Sequence, residues 1–419
     1  MNQVDKMISP AIRHAVVVAV ILNLAMFAYY ASYLANYGYL PAPFIFDKSN
    51  TFMDFFNPLY WAFNSGRYTE WGSVYPPLNF WILRISTIFF NFSEYDSPEQ
   101  LRSTFELFNY GFGFLYLVSI GLLLKPLYAK KITTKNKIIF FLLIALSPPM
   151  LYALERGNLI LLCPALIGVI IAYEGVIAVL ALAVAINLKP YLAILIGAYL
   201  LKANYRHALM VILISGAIFF VSGILLDAQF MEFFNNLVGF SGSDELFSRL
   251  ELVAFPPNIS PFVLLLQRGE LTDLIREDYA FLLLSALQFS KYILLSLALL
   301  YCVRFRATIS ADESLFFLTV VLLNSGTFIG GYGVILYFPF LLVMLNLRLW
   351  KFFFASIIGL CLPWDIVTLM RSDIGPQDSF LGQMSVDVNW TLGLGTFIRP
   401  IIATAFLALI PLELRSRAL

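Results

Sequence analysis

One aspartate, Asp54, stands among Phe52, Phe55, Phe56, Tyr60 and Trp61, in a stretch (51 to 77) that also holds turn residues and a second carboxylate, Glu70. A carboxylate in an aromatic, partly dry setting has raised basicity, which suits a general base. The alternative is that Asp54 caps a helix starting beside it, with Thr51 and Asn57 as rivals for that task. Glu70, close to Arg67, is better suited to a solvated ion pair.

Farther along, polar groups interrupt apolar runs. Glu155-Arg156-Gly157-Asn158 joins two such runs, which pins these side chains at a membrane surface. Lys189 lies in the polar break Asn187-Leu188-Lys189-Pro190, and Lys291 lies well inside an apolar run. Ionisable groups at depth are costly and mark candidate sites. Cations there suit a phosphate or diphosphate whose lipid tail stays in the bilayer. For Lys291, pairing with an intramembrane acid, or a span that begins later, weighs equally.

Other chemistries lack their residues. The two histidines, His14 and His207, sit at the ends of apolar runs among cations, as snorkelling side chains do. The three cysteines, Cys163, Cys302 and Cys361, are odd in number, lie in apolar runs and lack metal-ligand spacing. Walker A, dinucleotide-fingerprint and nucleophile-elbow patterns are absent, and Gly393-Leu394-Gly395 fits a loop. No metal and no cofactor are therefore expected.

The candidate residues must be held by membrane helices. Of the 419 residues 60% are hydrophobic and only 13% charged, with a mean hydropathy of +0.82; soluble domains carry roughly 25% charged residues. The net charge of +1 offers nucleic acid no basic surface. The expected fold is all-α, a polytopic transmembrane helical bundle forming one integral-membrane domain over residues 1 to 419. Lys6 and Arg13 precede a first span near 14 to 35 and place its start in the cytoplasm.

Residues 76 to 92 could cross next, but that would send Lys125, Lys130, Lys131, Lys135 and Lys137 outside. They are better placed as a Pro-started helix in the outer interface, with Arg84 snorkelling toward water. Further spans then fall near 105–124, 138–154, 159–173, 176–187, 191–201, 208–226, 281–303, 315–331, 333–347, 352–370 and 393–412, about twelve in all. This threading puts 15 of the 27 basic residues but only five of the 26 acidic ones on the cytoplasmic side. The large outer segments are 36 to 104, 227 to 280 and 371 to 392. The short runs 159–173, 176–187 and 191–201 imply an outward cavity where irregular backbone is wetted.

The order of these features resembles the polytopic GT-C glycosyltransferases, in particular glycosyltransferase family 87, the polyprenol-phosphate-mannose-dependent mannosyltransferases. The resemblance covers about residues 15 to 350. It rests on Asp54, the Gly66-Arg67-Tyr68 step, Tyr75-Pro76-Pro77, Ser147-Pro148-Pro149, Gly157-Asn158, the Asn187-to-Tyr191 break and the basic turn from Lys202 to Arg206. Asn258-Ile259-Ser260 is similar to the family's Asn-x-Ser step. Two departures stand out: Glu155-Arg156-Gly157-Asn158 replaces a common Gly-Gln-x-Asn, and Gly331-Tyr332 replaces a His-Tyr pair.

The resemblance implies an inverting, metal-independent transfer of a mannose-like hexose on the outer face of the inner (plasma) membrane. The donor would be a polyprenyl-phosphate sugar reached through membrane lipids, and the acceptor a glycan or glycolipid. Asp54 would be the base and Lys189 would hold the phosphate, with Arg156 or Lys291 as helpers. Tyr75, Glu155, Asn158, Asn258 and Tyr332 would complete the binding set. Two other functions compete: a flippase or transporter of lipid-linked sugars, and a polymerase or ligase leaning on Arg249, Arg268 and Arg276.

Overall fold

The computed structural model describes residues 10–87, 95–104, 107–129, 132–242, 259, 276–326 and 332–417. The chain is mostly helical. Four described helices are long and apolar enough to cross a membrane: Pro10–Tyr37, Tyr205–Leu225, Ser285–Arg304 within a longer helix, and Gly395–Ser416. A fifth arises if Thr134–Ala145 and Pro148–Arg156, separated at Ser147-Pro148, form one broken span. Long apolar helices of this kind fit a membrane-embedded protein, because a helix satisfies its own backbone where water is absent. Other apolar helices, such as Leu159–Ala172, Val176–Leu188 and Trp350–Cys361, are shorter.

The chain divides into two compact units, one of residues 49–126 and 153–243 and the other of 1–48, 127–152 and 244–419. In the first, the helices Met53–Phe63, Pro77–Ser86 and Pro98–Thr104 accompany the apolar helices Leu107–Leu123, Leu162–Ala172, Val176–Leu188 and Tyr205–Leu225. Their shared core is aromatic, with Phe55, Phe56, Tyr68, Phe80, Phe112 and Phe233 buried together. Gly168 allows Leu162–Ala172 to press on Leu107–Leu123, since a Cβ there would lie 2.5 Å from the Leu122 carbonyl oxygen.

Two arginines in this unit do something other than expected. Arg67 donates to the carbonyls of Trp61, Ala62 and Leu226, and Arg84 donates to Ala62 at 2.7 Å. Both therefore cap the C-terminal end of Met53–Phe63, where orphan carbonyls and the negative end of the helix dipole attract cations. The expected Arg67–Glu70 pairing and the snorkelling of Arg84 are corrected accordingly: nearby carbonyls offer closer partners than water.

In the second unit the all-α expectation fails over one segment. Thr368–Asp378 and Ser385–Gly393 form a two-stranded antiparallel hairpin. Val388, Trp390 and Leu392 alternate inward and bury against Tyr39, Ala42 and Phe46. Ser379 Oγ and the Phe380 N–H both donate to the Gly38 carbonyl. The span expected at 352–370 is also shorter: its helix ends at Cys361, before Pro363, and Thr368 onward belongs to the hairpin. Twelve residues reach only about 18 Å along a helix axis, against ~30 Å of hydrocarbon.

The same unit contains a fully buried ion pair. Arg399 Nη1 lies 2.9 Å from Asp365 Oδ1 and Nη2 bonds Asp365 Oδ2, while the guanidinium also donates to the carbonyls of Leu360 and Leu362. It thereby joins Gly395–Ser416 to the end of Trp350–Cys361. Glycine at 395 is required by this fit, since a Cβ would collide with both Arg399 and Asp365.

Candidate active site

Asp54 occupies the first turn of Met53–Phe63 but does not cap it; the residue before the helix is Phe52, in the left-handed region at φ 61°. That turn is held by the Phe52 N–H, which donates to the Glu155 carbonyl at 2.9 Å, so segment 51–54 runs beside the 155–158 turn. Asp54 Oδ1 then receives Arg156 Nη2 at 2.7 Å, and Oδ2 receives Asn158 Nδ2 at 2.8 Å. Arg156 Nη1 donates to the Asn50 carbonyl at 3.0 Å.

Asn158 is fixed by the helix that it caps. Its Oδ1 accepts from the Ile160 N–H at 2.8 Å, which leaves Nδ2 to face Asp54 and the Tyr75 hydroxyl, the latter at 3.4 Å. The Tyr75 ring carries Lys189 on its face, with Nζ 4.7 Å from the centroid. Tyr75 therefore links the acid to the amine. Lys189 is placed by the break that follows Val176–Leu188, where Pro190 lacks the N–H needed to continue the helix.

Sequence reasoning missed Asn79, which holds that break. Its side-chain amide is buried in Pro77–Ser86 and donates to the carbonyls of Asn187 and Leu188 at 3.1 and 3.3 Å. A polar residue in the first turns of a largely apolar helix was the available signal. Asn187, named from the sequence as part of the break, donates instead to Ala183 and Ser215 and ties its helix to Tyr205–Leu225.

The electrostatics reverse one expectation. Burial on its own lifts the Asp54 carboxyl, but the charge of Arg156, hydrogen bonds from Arg156 and Asn158, and the charge of Lys189 outweigh it. Asp54 is thus held below the usual carboxylate value and stays ionised at neutral pH. Arg156 is the carboxylate's partner in this structure. Removing its charge in Arg156→Gln should move the acid limb of any Asp54-dependent activity to higher pH, because the base works only when deprotonated. A pH–rate profile measures this; an unmoved limb would show that Arg156 does not set the acid's charge.

Gly157 makes the turn possible. Its φ is +66°, and a Cβ there would lie 3.0 Å from Phe52 Cδ1 and 3.3 Å from Phe52 Cα. Gly157→Ala should cost about 1–3 kcal/mol, the usual price of a left-handed non-glycine residue. Thermal unfolding in detergent should show a lower midpoint, and an unchanged one would contradict the fit.

Two further candidates belong to the second unit, and a third lies outside the described residues. Lys291 is buried within Glu277–Arg304, its Nζ 4.8 Å from the Tyr292 ring centroid, and Tyr332 packs near Tyr152 with centroids 6.1 Å apart. Both belong to the other unit. Asn258 lies outside the described residues. Among the described residues no group of three or more His, Cys, Asp or Glu side chains could hold a metal ion, and the cysteines are buried and free. No family model, no curated protein and no solved structure matches the chain.

Proposed function

We propose that the chain is an inverting membrane glycosyltransferase that moves a mannose-like hexose from a polyprenyl-phosphate donor to a glycan or glycolipid acceptor. The observation that supports this reading is the connected set Asp54–Asn158–Tyr75–Lys189, in which one ionised acid and one amine share a single aromatic bridge. Asp54 remains part-exposed, at 20%, while the Arg156 side chain behind it is 8% exposed. The carboxylate is thus both anchored and reachable.

In this reading the acceptor hydroxyl hydrogen-bonds to Asp54 while its oxygen attacks the anomeric carbon. The bond from that carbon to the phosphate oxygen breaks, and the phosphate leaves toward the Lys189 ammonium. Because Asp54 is a weak base, it takes the proton late, once the attacking oxygen has begun to bond to carbon and has become acidic. A fixed base and a fixed cation need little reorganisation during such a displacement. The lipid tail explains why the cluster lies among apolar helices.

The reading includes about twelve membrane helices, not all of them full-length spans, with the site on the extracytoplasmic face of the inner (plasma) membrane. Contacts at helix ends support it within each unit. Ends assigned to the cytoplasm meet one another: Arg13 bonds Asn136, and Arg417 bridges Glu313 and Glu413. Glu413 in turn accepts from the backbone N–H groups of Arg348 and Leu349. Ends assigned to the outside meet likewise, as Arg67 with Leu226 and Asn79 with Asn187.

The test is sugar transfer by the purified chain in detergent, from polyprenyl-phosphate mannose to a glycan acceptor, with the anomeric configuration of the product read by NMR. Inverted product without any vesicle or gradient is expected. Retained configuration, or transport across vesicles without transfer, would overturn the reading.

A further inference from the structure

Along Met53–Phe63 the buried residues are Met53, Phe55, Phe56, Pro58, Leu59 and Ala62. Asp54, Asn57 and Trp61 are only half-buried, and their spacing of three and then four residues puts them on one helix face. The proposed base therefore begins a stripe that ends on an indole two turns away, about 10 Å along the axis. Asn57, between them, makes no hydrogen bond among the described residues, which leaves its amide to meet a ligand.

At the far end of the stripe the aromatic side chains are built into place. The planes of Trp61 and Trp71 lie 12° from parallel with centroids 6.4 Å apart, and Tyr60 meets Trp71 edge-on at 5.5 Å. The Gly66 carbonyl accepts from the N–H groups of both Glu70 and Trp71, at 2.8 and 3.2 Å, and Arg67 Nε ties the same turn to the Trp61 carbonyl. A Cβ at Gly66 would lie 2.7 Å from Glu70 Oε2 and 3.2 Å from Trp71 Cζ3, so glycine lets the carboxylate and the indole fold over that residue. Both tryptophans are half-buried and Glu70 is exposed, so solvent reaches all three.

Flat aromatic faces with a carboxylate and an amide beside them match one class of ligand. A pyranose ring gathers C–H bonds of slight positive charge on its face, which an electron-rich ring face attracts, and carries hydroxyls round its edge. Those hydroxyls can donate to the Glu70 carboxylate and can both donate to and accept from the Asn57 amide. An acyl chain would also cover the rings, but it would strip water from both polar groups and replace none of their hydrogen bonds.

We propose that Trp61 and Trp71, with Asn57 and Glu70, form a subsite for an oligosaccharide acceptor, stacking a ring about two sugar units from the one whose hydroxyl Asp54 activates. This rests on the glycosyltransferase reading and narrows its acceptor to a glycan chain, but the platform itself is testable without transfer.

Binding of linear mannotriose, maltotriose and cellotriose, each beside its monosaccharide, to the full-length chain can be followed by saturation-transfer NMR in a detergent without a sugar headgroup. At least one trisaccharide should bind the wild type about tenfold tighter than its monosaccharide. Trp71→Leu should erase that difference, while Trp71→Phe, which keeps a ring face, should stay within about threefold of the wild type. Asn57→Ala should weaken trisaccharide binding several-fold, and because that side chain has no partner to lose, it keeps the test valid should Trp71→Leu fail to fold.

No trisaccharide binding, or equal affinity for trisaccharide and monosaccharide, would overturn the proposal. So would a Trp71→Leu that binds like the wild type, which would mean that any apolar surface suffices, or an Asn57→Ala without effect. Trp71-dependent trisaccharide binding without transfer from a polyprenyl-phosphate sugar would sink the parent reading alone.

Discussion

Asp54→Asn should lower the turnover number by about 10³, within the 10² to 10⁴ that a general base contributes, while substrate binding changes little. The asparagine has the same shape but cannot take the acceptor's proton. It must also turn its NH2 toward a donor, because Asn158 Nδ2 and Arg156 Nη2 both point at the residue and Asn158 cannot flip while it caps Ile160. A stability loss of about 1–3 kcal/mol is therefore expected alongside. Thermal unfolding in detergent, run beside the transfer assay, separates the two effects: a folded Asp54→Asn at assay temperature with near-wild-type turnover would rule Asp54 out as the base.

The largest stability effect is expected far along the chain, at the Asp365–Arg399 pair. Each partner is almost fully buried, so Asp365→Asn leaves a guanidinium without its counter-charge and Arg399→Met leaves a carboxylate without its own. Breaking a buried pair from one side costs about 3–5 kcal/mol. Arg399→Met should be the worse of the two, because it also frees the Leu360 and Leu362 carbonyls. Combining Asp365→Leu with Arg399→Met removes both charges and should be less damaging than the sum of the singles. Detergent unfolding midpoints of the singles and the double measure the cycle; a single substitution that costs under about 1 kcal/mol would show the pair to be dispensable.

Much of the site was legible in the sequence because its members are polar residues in apolar surroundings. Asp54, Asn158 and Lys189 were each named on that ground, and they gather around Tyr75. Their electrostatics were not legible. An aromatic neighbourhood suggested a raised acid, but the decisive neighbour, Arg156, approaches across more than a hundred residues of chain. The roles of Arg67 and Arg84 were hidden for the same reason: a carbonyl at a helix end leaves no mark in the sequence.

The hairpin shows a different kind of miss. Arg371, Asp373, Gly375, Pro376 and Asp378 look like loop, and the strand containing them is mostly exposed. Its partner carried a usable signal in the alternation of Val386, Val388, Trp390 and Leu392. Charge counting guided the threading of the chain through the bilayer, but it is blind to a short strand pair between apolar helices.

The Asn79 clamp carries a consequence for biosynthesis. Asn79 finds its carbonyl partners only at residues 187 and 188, so the ribosome must emit that later segment before the buried amide is matched. Nascent chains halted earlier hold Asp54 but lack the break that fixes the amine. The Asp54–Tyr75–Lys189 arrangement therefore assembles as a late event of translation, long after residue 54 has been synthesised.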